Sequence, residues 1–269
     1  MMNKMKKLLA VLCALMMVAA LAACGGGDTK GGGTTGGEPT ALDLYNQANA
    51  KVAELDNVEY NMNIDMHMTE PTSQTEIDMT MGGNMKQVKV DDNYQMSFDM
   101  NMEIPGQGAM DIAMYYADGY FYYNMPAAGM KYKEAMSVED ALGEMNASGM
   151  ADLDESMVVD QSVTEEGGNK VVNLTLDGTK MMDYVSEVGG DMTASLQGGE
   201  VKLSNVTVKA VMDADANIST YEMTMPMEVT TQGVTMTMDM VLSMEVVATG
   251  DAVTVVLPDD LDTYQEMAA

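Results

Sequence analysis

Methionine supplies the most distinctive chemistry of this chain, since it accounts for 34 of 269 residues against one histidine and two cysteines. Pairs spaced Met-x-Met recur, and their soft thioether sulfurs suit Cu(I). The same spacing arises wherever a β-strand buries one face, because alternate side chains point to one side. Copper binding is therefore a lesser alternative to core packing, and His67 would point away from its neighbouring methionines toward solvent. The pairs are Met66/Met68, Met79/Met81, Met100/Met102, Met223/Met225, Met225/Met227, Met236/Met238 and Met238/Met240.

A second group of possible metal ligands is the acidic segment Asp213-x-Asp215-x-Asn217. This spacing matches the start of a calcium-binding loop, which also requires glycine at the sixth position and glutamate at the twelfth. Ile218 and Thr224 occupy those positions. The segment therefore predicts a turn between two strands, and no metal or other cofactor is expected.

The composition argues against catalysis and against nucleic acid as a partner. The chain contains one histidine and no arginine, and it has neither a nucleophile elbow nor a glycine-rich phosphate loop. Its formal net charge is −29, so it repels nucleic acid. We expect a non-enzymatic protein whose acidic residues solvate exposed strand faces, and a basic envelope protein remains an alternative partner.

Cys24 has the most specific predicted modification. A positive segment with Lys4, Lys6 and Lys7 precedes an apolar run over 8–20, as in a secretory signal. The following Leu-Ala-Ala-Cys, residues 21–24, resembles the lipobox of bacterial lipoproteins. The resemblance implies cleavage before Cys24 and transfer of a diacylglyceryl group to its sulfur. Two acyl chains suffice for stable anchoring, so we expect a lipid-anchored protein on the extracytoplasmic face of the cell membrane.

The chain divides into three predicted segments. Residues 1–23 form the lipoprotein signal peptide. Residues 24–38 combine the lipidated cysteine with a Gly/Thr-rich tether that has too little apolar surface to fold. Residues 39–269 form one folded domain.

The folded segment begins with a helix and continues mainly as strands. Thr40 is a predicted helix N-cap, and strict alternation of apolar and polar residues starts at Val58. Glycine pairs are assigned to turns and loops. Further predictions are a turn at Gly82-Gly83-Asn84, a short helix over 138–145, a helix over 179–188, and strands over 158–163, 171–176, 201–212, 218–227, 234–247 and 252–257.

One tyrosine-rich hairpin makes a family resemblance visible. The stretch from Met114 to Met136, with the opening helix at Ala41 and the turn at Asp213, resembles an uncharacterised family of Gram-positive lipoproteins. That family is similar to the LolA and LppX-LprG lipoprotein-carrier superfamily. The resemblance spans most of residues 40–258. It implies a mainly β (α+β) fold, in which a curved antiparallel half-barrel of about eleven strands is covered on its concave apolar face by an N-terminal helix and short helices. The hairpin tyrosines are Tyr115, Tyr116, Tyr120, Tyr122, Tyr123 and Tyr132, which we assign to packing rather than to sugar stacking.

The resemblance also implies an apolar cavity that takes a lipid or acyl group. Methionine is flexible and polarisable, and it adapts to irregular apolar partners. The alternative is an interaction or sensor module whose core is filled by its own side chains and whose acidic surface meets a partner. The alternation of apolar and polar residues along the strands is compatible with a ligand cavity and with a self-filled core. The predicted cavity residues are Met62, Met66, Met79, Met96, Phe98, Met100, Met114, Met236, Met238 and Met240.

Overall fold

The computed structural model describes residues 38–70, 75–91, 93–104, 106, 108–138, 153–189, 200–231 and 233–266. The predicted signal peptide and almost all of the predicted tether lie outside these residues, as does most of the short helix predicted over 138–145. Within the described residues the chain is mainly β, with thirteen strands and two α-helices. The predicted fold class is confirmed.

The two α-helices are α1, Ala41–Ala53, and α2, Gly178–Gly189. Neither helix of the described segments is long and apolar enough to cross a membrane. The strands are β1 Val58–Glu70, β2 Thr75–Val90, β3 Asn93–Ile104, β4 Gly108–Ala117, β5 Tyr120–Met125, β6 Met130–Ala135, β7 Val158–Glu166, β8 Asn169–Leu176, β9 Glu200–Leu203, β10 Val206–Met212, β11 Ile218–Thr231, β12 Val234–Thr249 and β13 Gln265–Glu266.

All thirteen strands form one sheet that curves but does not close. Its order is β13-β6-β5-β4-β3-β2-β1-β12-β11-β10-β8-β7, and β9 pairs with β11 beside β10. Every pairing is antiparallel except the two-residue contact between β13 and β6. The sheet therefore brings the first and last long strands, β1 and β12, together at its centre.

Helix α1 begins with the predicted cap. The Thr40 hydroxyl accepts a hydrogen bond from the Asp43 backbone N–H at 3.1 Å, and the Asp43 carboxylate accepts one from the Thr40 backbone N–H at 2.9 Å. These bonds form a capping box and hold the pKa of Asp43 below its usual value. The helix packs mainly on β7, β8 and β11, with Leu44 and Tyr45 buried on its inner side.

The predicted turn at Gly82-Gly83-Asn84 is wrong, because β2 runs unbroken through it. Gly83 lies between Met62 of β1 and Met100 of β3. A Cβ at Gly83 would lie 2.8 Å from the backbone oxygen of Asp99, so glycine is needed for close strand approach, not for a turn.

Two predicted strands also differ from the structure. The segment 201–212 is divided into β9 and β10, and the break lies beside Pro226, which has no N–H for a ladder and whose carbonyl accepts a bond from Ser204 N–H at 2.9 Å. The segment 252–257 is not a strand. Both edges of β12 are already paired, with β1 and β11, and a 3-10 turn at Gly250–Ala252 ends it.

Candidate ligand-binding face

One side of the central sheet is lined by methionines from six neighbouring strands, in the order β11-β12-β1-β2-β3-β4. Directly paired residues share a face, so the strand register brings these side chains into rows across the sheet. We call this surface the methionine face. Its three central rows are Met225–Met240–Met66–Met79, Met223–Leu242–Ile64–Met81–Met102–Met110 and Tyr221–Met244–Met62–Gly83–Met100–Ile112.

All ten predicted cavity residues lie on this face, but they differ in exposure. Half of them are buried, each with at most 4% of its surface exposed: Met66, Met79, Met96, Met238 and Met240. The other half are only half-buried: Met62, Phe98, Met100, Met114 and Met236. The face therefore combines a packed floor with methionines that retain contact with solvent.

The structure distributes these residues between two apolar clusters. The main core contains six of them: Met62, Met66, Met79, Met100, Met238 and Met240. Met96 and Met114 instead pack with Tyr116 and Phe121 near the tyrosine hairpin. Phe98 pairs with Met114, and Met236 pairs with Val229, on the same face.

Tyr221 is a buried polar residue of this face that is not among the predicted cavity residues. It pairs with Met244, and its ring centre lies 6.4 Å from that of Tyr45 in α1. Burial raises the pKa of Tyr221 strongly. This tyrosine pair joins the helix to one end of a central methionine row.

The tyrosine hairpin packs as predicted. Tyr123 stacks on Tyr132 with ring centres 4.7 Å apart, and Tyr116 contacts Phe121 at 6.5 Å. Tyr116 is 1% exposed, and its hydroxyl donates a hydrogen bond to the Met136 carbonyl at 3.3 Å. The hairpin tyrosines therefore pack against other aromatic rings.

A C-terminal segment, beyond the last predicted strand, packs on the other side of that hairpin. Tyr264 meets Tyr122 edge to face with ring centres 5.4 Å apart, and Leu261 joins the same cluster. Lys131 pairs with Asp260, and β13 adds its parallel contact to β6. No local pattern in the sequence signals this contact, because β13 has only two residues.

The opposite side of the central sheet is polar and acidic. His67 lies there, as predicted, with Asp78 and Asp239 as its paired neighbours on β2 and β12. His67 Nδ1 lies 2.6 Å from Asp78 Oδ1, and its Nε2 lies 3.2 Å from the Thr69 hydroxyl. The hydrogen bond to Asp78 raises the pKa of His67, and the charges of Asp78, Glu76 and Asp239 add to this rise.

We expect the single histidine to titrate above its ordinary pKa of about 6.5 and Asp78→Asn to lower that value. A raised folded-state pKa stabilises the fold below the unfolded pKa, and this contribution is lost as the pH rises through the folded pKa. An NMR titration of the histidine measures the pKa of His67 without resonance assignment, since the chain has one histidine. Asp160→Asn, at the far edge strand β7, is the control and should leave the pKa unchanged; an unchanged value in Asp78→Asn would contradict the assignment.

The acidic segment after β10 forms a turn, as predicted. Asp213 Oδ1 accepts hydrogen bonds from the backbone N–H groups of Asp215 and Asn217, both at 2.9 Å. The bonds from Asn217 are the main cause that lowers the pKa of Asp213. Across the parts of the chain that the structure describes, no group of three or more His, Cys, Asp or Glu side chains is arranged to hold a metal ion.

Comparisons with known proteins give a family but no activity. No curated protein matches the sequence. Among solved structures the chain is similar to the ywiB protein from Bacillus subtilis (7% identity, 74% of this chain and 99% of that chain, TM-score 0.22). It is also similar to a DUF1329 family protein from Desulfovibrio piger (12% identity, 80% of this chain and 97% of that chain, TM-score 0.27). A third similar structure is a proposed outer membrane lipoprotein-sorting protein domain from Vibrio parahaemolyticus (8% identity, 82% of this chain and 96% of that chain, TM-score 0.26). These TM-scores are too low to support an inference about function. A family model matches residues 40–262, and the chain belongs to that family, the family of unknown function DUF6612.

Proposed function

We propose that this chain is a membrane-anchored extracytoplasmic lipoprotein whose methionine face binds a hydrophobic ligand, a lipid or acyl group. The observation that carries the proposal is the continuity of this face across six strands, with half-buried methionines directly beside buried ones. Met62 and Met100 flank Gly83 in one central row. A flexible apolar chain can lie along such a row, because the methionines can adapt to it.

Binding would derive mainly from apolar burial. Each Å² of apolar surface removed from water contributes about 25 cal/mol. The three central rows contain no charged residue, so we expect affinity to follow the length of the acyl chain more than the chemistry of its head group. In this proposal the protein binds its ligand reversibly and has no catalytic role.

The proposed location rests on the sequence around Cys24. A diacylglyceryl group on this cysteine would anchor the chain, and the Gly-rich residues that follow would leave the folded domain free to work close to the membrane surface. The anchor places an acyl-binding face near its source of ligand.

A second candidate is a non-catalytic interaction or sensor module with a self-filled core. The burial of Met66, Met79, Met96, Met238 and Met240 favours it. In this case the acidic outer side of the sheet would be the working surface, and it would meet a basic envelope partner.

The test compares two double variants of the half-buried pair. Met62→Gln with Met100→Gln places polar amides in the row, whereas Met62→Leu with Met100→Leu keeps it apolar at similar volume. Full-length chains are purified in detergent and offered phosphatidylglycerol vesicles, and solvent extraction then releases lipid that is not covalently attached. Mass spectrometry measures lipid per protein.

We expect the wild type and the leucine variant to carry equal lipid. The glutamine variant should carry about tenfold less lipid, since each lost apolar contact is worth about 1 kcal/mol or more. Circular dichroism checks folding of each variant. Wild-type lipid content in a folded glutamine variant would contradict the proposal, and bare wild-type protein would favour the second candidate.

A further inference from the structure

Seven methionines meet in one compact patch of the main core. Two adjacent pairing rows across β11, β12, β1 and β2 contain eight positions, and all but Ile77 are methionine. These methionines come from four segments of the chain that are up to about 170 residues apart. We call them the methionine grid: Met66, Met68, Met79, Met225, Met227, Met238 and Met240.

At the centre of the grid, four methionines on two paired strands occupy the corners of a square. Met66 pairs with Met240 and Met68 pairs with Met238 on the neighbouring strand. Directly opposed Cβ atoms lie about 5 Å apart, and residues two apart on a strand are separated by about 7 Å. Methionine has three side-chain torsions and can extend its sulfur over these distances. All four are at most 4% exposed and belong to one packed cluster.

We propose that this square binds a soft monovalent cation of the Cu(I) class. Thioethers are soft, uncharged ligands that favour Cu(I) over hard divalent ions. The ladder between β1 and β12 holds the four positions in place, and their burial excludes water as a competing ligand. The grid is part of the methionine face, but this inference rests on the sulfur atoms and not on the apolar surface.

The charge around the square also favours a cation. Asp65 precedes Met66, and Asp239 lies between Met238 and Met240, so both carboxylates point to the opposite side of the same central strands. His67 also lies on that outer side of β1, between Asp78 of β2 and Asp239 of β12. Carboxylates beneath a partly dehydrated site lower the electrostatic cost of a buried positive charge.

The test uses Ag(I), a soft monovalent ion that needs no reductant. The processed chain, from which Cys13 has been removed and in which the Cys24 sulfur is lipidated, is titrated in detergent with silver nitrate in chloride-free buffer and followed by calorimetry and native mass spectrometry. Met66→Leu with Met240→Leu removes two sulfurs at nearly constant volume. Met100→Leu with Met114→Leu removes two sulfurs outside the grid and is the matched control.

We expect one tight Ag(I) ion per chain in the wild type and in the control, and at least a tenfold weaker affinity in the grid variant. X-ray absorption of the Cu(I)-loaded wild type should show a sulfur-only first shell. Equal affinity in the grid variant and the control would overturn the proposal, as would only weak binding of several ions. Because leucine keeps the methionine face apolar at nearly constant volume, a loss of Ag(I) affinity in the grid variant reports on the sulfur atoms and not on lipid binding.

Discussion

Tyr45→Ala is expected to lower the free energy of unfolding by about 3–5 kcal/mol, the usual cost of truncating a fully buried aromatic side chain. Tyr45 is 1% exposed and packs against Tyr221, which is itself 2% exposed. Its removal leaves a cavity where α1 meets the sheet, and the neighbouring strands of a packed sheet relax only partly into such a cavity.

Thermal unfolding followed by circular dichroism measures this loss, which corresponds to roughly 10 °C in Tm for a domain of this size. Gln47→Ala is the matched control, since Gln47 is an exposed residue of the same helix, and it should change stability by at most about 0.5 kcal/mol. Similar Tm values for both variants would contradict the role of Tyr45 in joining the helix to the sheet.

Gly83→Ala is expected to destabilise the fold by about 1–3 kcal/mol, the range for overpacking a closed site. The added methyl group would lie 2.8 Å from the Asp99 backbone oxygen and 3.3 Å from Met100 Cγ. A methionine can move aside, but a backbone oxygen in the ladder between β2 and β3 cannot move without disturbing that ladder.

The adjacent glycine provides the control. At Gly82 the nearest atom to an added Cβ is Asn63 Oδ1, at 3.6 Å, which is an ordinary contact. Because alanine is less flexible than glycine in the unfolded chain, Gly82→Ala should be neutral or stabilise by up to about 1 kcal/mol. Urea unfolding of both variants distinguishes the sites, and equal effects would show that strand approach is not what requires Gly83.

The local features of the fold were available from the sequence. Thr40 followed by Asp43 is a complete capping signal, because both partners lie within one helical turn. Strict alternation after Val58 assigned His67 to the polar side and its methionine neighbours to the apolar side, and the structure confirms both. These predictions hold because successive side chains of a strand point to opposite faces, so the face of each residue follows from the local sequence.

The tertiary structure decided how the strands meet, and with that the identity of the candidate site. The sequence predicts Met66/Met68 and Met238/Met240 as separate pairs, but only the register of β1 on β12 combines them into one square. Gly83 shows the same limit, since its close neighbour Asp99 belongs to another strand. Register depends on contacts between segments far apart in the chain, and alternation within one strand carries no information about its partner.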